Sequence, residues 1–210
     1  MRSITLAQAG LLAAWAMVLL SGYFLVDNVA LLREAPALVL LGSVVTSMVW
    51  AGFFFAVSLR PAFIRTAAWV TLVFAVLLEA VVVYIRFQQS VGFWTPFGNA
   101  LSLSGWLLRL GWSAFLIAFA LNQNHPRTRQ AALVLAIIAA PAAFNTAYDA
   151  WNNWIGLLFD DIPSQALWRV VVTPAIRTFY WLSQILFLWT VWGNPEAKSL
   201  IEAAGTRFTP

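Results

Sequence analysis

The chain has 210 residues, of which 62% are apolar and 10% charged, with a formal charge of +4. Soluble domains run at roughly half apolar and a quarter charged, and folding in water still leaves about a third of the chain's surface exposed. Such a chain is expected to fold in lipid, which excludes a disordered chain, a fibre and a water-soluble enzyme. The absence of cysteine excludes disulfides, thiolate metal sites, iron–sulfur clusters and cysteine nucleophiles. A single histidine, His125, cannot form a paired axial haem site or a His-rich copper or zinc site. No cofactor is implied. Nor is a nucleic-acid partner, because the basic residues are sorted by side rather than gathered in a patch.

The fold class expected is an all-α polytopic membrane protein. A bundle of six transmembrane helices over residues 1–192 is followed by a cytoplasmic amphipathic tail, 193–210. About 20 mostly apolar residues cross a bilayer core, and six such runs occur, at about 5–26, 35–59, 63–85, 101–121, 130–150 and 168–192. The first holds no charge from Thr5 to Val26. It is too long for a signal-peptide core and lacks a following cleavage pattern, so it is read as a retained helix. Ala9 and Ala13 there form a small-xxx-small pair. In the second run, Ser43, Thr46 and Ser47 with Trp50 form a polar stripe, read as helix-packing glue or as part of a proton path.

Arg60-Pro61 and Asn122–Arg129 are short polar hairpins. Connections 86–100 and 151–167 are longer and aromatic, either a headgroup belt or a lid over a cavity. Asp160-Asp161 in the latter gives only a weak cation signal. The tail opens Asn194-Pro195-Glu196, a helix start. Ala197, Leu200, Ile201 and Ala204 then share one face, which predicts a surface helix over 195–204.

Orientation follows from basic residues in the connections. Seven fall on one side (Arg2, Arg60, Arg65, Arg127, Arg129, Lys198, Arg207) and three on the other (Arg33, Arg86, Arg169). The expected location is therefore the cell membrane, with both termini cytoplasmic. Eleven arginines against one lysine suit the inner membrane of a bacterium with a GC-rich genome.

Ionisable residues within spans cost roughly 2.5–3.5 kcal/mol each and are functional candidates by default. Glu79, Arg109 and Arg177 are the three, and the run boundaries place each roughly 9–12 Å below the outer end of its helix. Asn145 and Asp149 on the fifth run reach toward that layer. Trp106 and Trp112 flank Arg109, while Tyr180 and Gln184 share a face with Arg177. One reading makes these residues ion-pair glue between helices. The other makes them a net-positive site for a small anionic or carbonyl-bearing ligand.

Two functions therefore stand open. The first is a small transport or ligand-binding protein with its site in the outer half of the bilayer. In helix number and the position of its polar layer it resembles the vitamin-capturing subunits of energy-coupling transporters, without sharing a motif with them. The second is a non-catalytic subunit or assembly factor packed among partner membrane subunits. An intramembrane hydrolase is disfavoured because His125 lies in a hairpin away from Ser43 and Ser47.

Overall fold

The computed structural model describes residues 4–29, 37–89, 96–122, 125–156 and 168–193, and every element among them is helical. Six α-helices follow in order: α1 Leu6–Val29, α2 Ala37–Leu59, α3 Ile64–Gln89, α4 Pro96–Leu121, α5 Pro126–Gly156 and α6 Thr173–Gly193. A 3-10 turn, Pro61–Phe63, joins α2 to α3, and a π turn, Trp168–Val172, leads into α6. The tail helix expected over 195–204 and the Asp160-Asp161 pair lie outside the described residues.

Local chemistry sets the helix ends. Thr5 and Gln8 form a capping box at the start of α1: the Gln8 amide donates to Thr5 Oγ1 at 3.3 Å, and the Thr5 amide donates to Gln8 Oε1 at 3.0 Å. Arg60 precedes a proline and so leaves the α region, ending α2. Pro126 opens α5 at a position where its missing N–H costs nothing, and His125 Nδ1 accepts the Arg127 amide at 3.1 Å.

Several helices run past the boundaries that hydropathy suggested. α3 continues through Arg86 to Gln89, α4 begins at Pro96, and α5 carries Trp151 and Trp154 to Gly156. A polar or aromatic residue ends an apolar run without ending the backbone ladder. The sixth apolar run is helical from Trp168, and the carbonyl that Pro174 leaves without its usual donor, that of Val170, lies in the π turn that leads into α6.

The expectation of six spans is met only in part. Among the described residues, three helices are long and apolar enough to cross a membrane: Leu6–Tyr23, Pro126–Ile155 and Val170–Gly193. Among the described residues the apolar stretches of the other three are shorter, Val44–Leu59, Ile64–Leu78 and Leu107–Leu121. Glu79 directly follows the second of these, and Arg109 lies within the third.

The helices close a ring. Each packs on its successor in sequence, and α6 packs back on α1. One end, here termed basal, gathers the start of α1 and the α2–α3 and α4–α5 turns; the other is distal. Large and small side chains alternate around the ring. α2, α4 and α6 send buried phenylalanines inward (Phe53, Phe54, Phe115, Phe119, Phe187), whereas α1 and α5 bury alanines such as Ala9, Ala13, Ala132 and Ala136. At Gly10, an added Cβ would sit 2.6 Å from Ser58 Oγ and 3.2 Å from the Phe54 carbonyl, so the backbones of α1 and α2 nearly touch there.

Two arginines close the basal end. Arg65 Nε donates to the Ala120 carbonyl at 3.1 Å, and Arg129 Nε donates to the Trp192 carbonyl at 2.8 Å. Each satisfies a carbonyl in the last turn of a neighbouring helix, where the helix dipole favours a cation. Thr128 Oγ1 reaches back to the carbonyls of Ala118 and Asn122, which ties α5 to the end of α4.

Candidate functional site

The phenylalanines form a plug across the basal half of the ring. Phe54 meets Phe187 edge-on with ring centres 4.9 Å apart, Phe53 meets Phe119 at 5.6 Å, and Phe115 meets Phe187 at 6.2 Å. These contacts join α2, α4 and α6, which are not ring neighbours. Edge-to-face pairs at such distances each contribute about 0.5–1.5 kcal/mol beyond the area they bury. The next layer is the Trp50–Trp112 pair, with centres 4.9 Å apart and planes at 74°.

Above that pair the interior opens into a cavity of about 550 Å³. Its floor is Trp50 and Trp112. Met17 of α1, Thr46 of α2 and Tyr180 and Gln184 of α6 line it, with Ala75 and Leu78 of α3 and Arg109 and Ser113 of α4 opposite. Val76 and Leu110 also line the cavity although 53% and 61% exposed, so it communicates sideways with the outer surface between α3 and α4.

Four of the nine candidate residues therefore line one space: Arg109, Trp112, Tyr180 and Gln184. Glu79 lies on α3 and Trp106 on α4, but both side chains lie outside those described. Asn145 and Asp149 are exposed on α5, which contributes no lining residue. Arg177 is exposed and does not line the cavity. It sits seven residues from Gln184, on the same helix face and about 10 Å toward the distal end.

Arg109 lies thirteen residues into α4, Glu79 ten residues from the end of α3 and Arg177 four residues into α6. The longer α3 and α4 move the first two toward mid-helix.

Sequence reasoning singled out Thr46 and Trp50 only as packing glue or part of a proton path. A signal for their place did exist: Trp50-x-x-Phe53-Phe54 on α2 matches Trp112-x-x-Phe115 on α4, each tryptophan one turn distal to a plug phenylalanine.

Gln184 is the chemically unusual residue. It is fully buried, and neither Nε2 nor Oε1 has a hydrogen-bond partner. Buried hydroxyls elsewhere on the helices bond back to their own backbone: Ser21 to Met17, Thr71 to Ala67, Ser183 to Tyr180. The hydroxyls of Thr173 and Thr178 are also unpartnered, but neither lines the cavity. Among the described residues no group of three His, Cys, Asp or Glu side chains is placed to hold a metal.

No protein-family profile matches the chain, and no curated protein or solved structure is similar to it.

Proposed function

We propose that the protein is a six-span integral membrane protein that binds, and in this way transports or senses, a small molecule in its interior cavity. The observation that carries this reading is a 550 Å³ space over an aromatic floor that also holds an unpartnered buried carboxamide. Small-molecule sites fall at roughly 300–1,000 Å³ and pair mostly apolar walls with a few convergent polar groups. The cavity has that make-up.

A lipid setting for all six helices is supported by their outer faces. Trp15, Met48, Val73, Leu121, Ile137 and Leu182, one on each helix, are all exposed, and apolar exposure on this scale marks contact with lipid or with another protein. The three shorter apolar stretches fit a bilayer as well. Two polar residues within them, Thr46 and Arg109, line the cavity. Orientation with the basal end cytoplasmic rests on Arg60, Arg65, Arg127 and Arg129. Arg109 in the wall favours a ligand with a carbonyl or negative charge at its distal end.

The test is native mass spectrometry of the protein extracted in mild detergent. The wild type is expected to carry a small molecule that organic extraction releases, and Ser113→Phe, which fills the cavity, is expected to carry none. A wild-type protein with nothing bound, monodisperse only beside a co-purifying neighbour, would instead support the subunit reading.

A further inference from the structure

We infer that the cavity selects a flat ring bearing an uncharged lactam edge, a carbonyl beside an N–H, which pairs with Gln184. This rests on the cavity being a ligand site and goes on to name the ligand's chemistry. The carboxamide of Gln184 offers one acceptor and two donors, and in the protein alone Oε1 and Nε2 are both unpartnered in a fully buried side chain.

The amide has no hydrogen bond to lose when it turns toward a ligand. Its atoms are closed off from open space in the ligand-free protein, so rotation between staggered wells of its side chain accompanies binding. Both of its ends must then be satisfied, since an unpaired buried donor or acceptor carries its full desolvation penalty. A carboxylate has acceptors alone and leaves Oε1 unpaired. An ether or ketone fails in the same way. An ammonium satisfies Oε1 and leaves Nε2. A lactam or imide answers both with two parallel bonds, because its N–H and C=O are spaced as the carboxamide's own groups are. This match also holds whichever way the Gln184 amide is flipped.

The rest of the cavity sets the shape. Trp50 and Trp112 form the floor and Tyr180 stands one turn from Gln184. Such walls favour a planar ring system, stacked or met edge-on. Charge at the Gln184 end is disfavoured because the surrounding wall is mostly apolar and full burial makes an unpaired ion costly.

The probes are three molecules of matched shape: isoquinolin-1(2H)-one with the full lactam edge, its N-methyl derivative without the donor, and naphthalene with neither group. Binding is read by isothermal titration of the detergent-solubilised full chain, and by thermal shift. The expected order is the lactam tightest, with the N-methyl derivative and naphthalene each weaker by about tenfold or more. Gln184→Leu should erase that preference by weakening the lactam alone, leaving naphthalene within about threefold of its wild-type affinity. This comparison needs both proteins folded, but the ligand series in wild type stands without the variant. If naphthalene and the lactam bind alike in wild type, and Ser113→Phe abolishes both, the lactam inference is overturned while the cavity remains a ligand site. If none of the probes binds and no small molecule co-purifies, the cavity reading itself fails.

Discussion

Gln184→Leu is expected to stabilise the ligand-free protein. Leucine and glutamine have similar volume, so the change opens no large void and forces no overpacking, and shape alone costs less than about 1.5 kcal/mol. Against that stands the removal of a carboxamide with both ends unpartnered in a fully buried position. One unsatisfied buried group costs about 1–3 kcal/mol, and holding a glutamine costs about 1 kcal/mol more side-chain entropy than holding a leucine. A water in the cavity would recover part of this, leaving a net gain of about 1–3 kcal/mol. The assay is reversible unfolding by SDS in mixed micelles after exhaustive exchange into fresh detergent, which strips weakly held ligand. Gln184→Ala is the control. It removes the same amide but also packing atoms, which costs about 2–5 kcal/mol at a buried site, so it should fall below the leucine variant. If Gln184→Leu unfolds more easily than wild type by about 1 kcal/mol or more, the amide is satisfied in the folded protein and the reasoning fails.

Other expectations are equally direct. Gly10→Ala should destabilise by about 1–3 kcal/mol, since its Cβ would fall 2.6 Å from Ser58 Oγ. Adding Ser58→Gly should restore part of that loss, and additivity in the double mutant would show that the two sites do not touch. Arg65→Met and Arg129→Met should each cost about 1–2 kcal/mol by uncapping α4 and α6, with the two losses adding because different helix ends are involved. Arg109→Gln should weaken binding of 1-naphthoate by about tenfold, whereas Arg177→Gln, exposed and outside the lining, should change it by less than about threefold; the reverse order would move the site distally. With no native cysteine, single cysteines at Asn122 and Asn153 can report sidedness. An impermeant maleimide should label only the Asn153 position in intact cells, and labelling of the Asn122 position would invert the topology.

The helices were legible in the sequence because their apolar runs are long, and the Arg60-Pro61 and Asn122–Arg129 breaks between them are sharp. Their distal ends were not. Arg86, Trp151 and Trp154 look like loop chemistry but continue the ladders of α3 and α5. The distances from Arg109 and Glu79 to the distal ends of their helices are correspondingly longer than the apolar runs suggested. Arg109, Trp112, Tyr180 and Gln184 were each named from local spacing, which is preserved on a helix wherever it sits. What no local pattern encodes is which helices face one another. The plug depends on α2, α4 and α6 meeting across the ring, and so depends on α6 returning to α1. Arg65 and Arg129 look like topology signals in sequence, whereas in the fold they also hydrogen-bond neighbouring helix ends.

The closed ring also fixes an order of assembly. Five of its six interfaces join helices consecutive in the chain, so they can form as successive hairpins are synthesised and inserted. The sixth, between α1 and α6, joins segments separated by nearly the whole described chain, and long-range contacts of this kind form late. Until α6 arrives, α2 and α4 present Phe54 and Phe115 without Phe187, and the alanine face of α1 has only α2 to pack against. Arrival of the last helix completes the plug and buries Gln184 in one step. A chain arrested before residue 173 should therefore be the species on which quality-control proteases and insertion chaperones act, and a separately expressed sixth helix should rescue it.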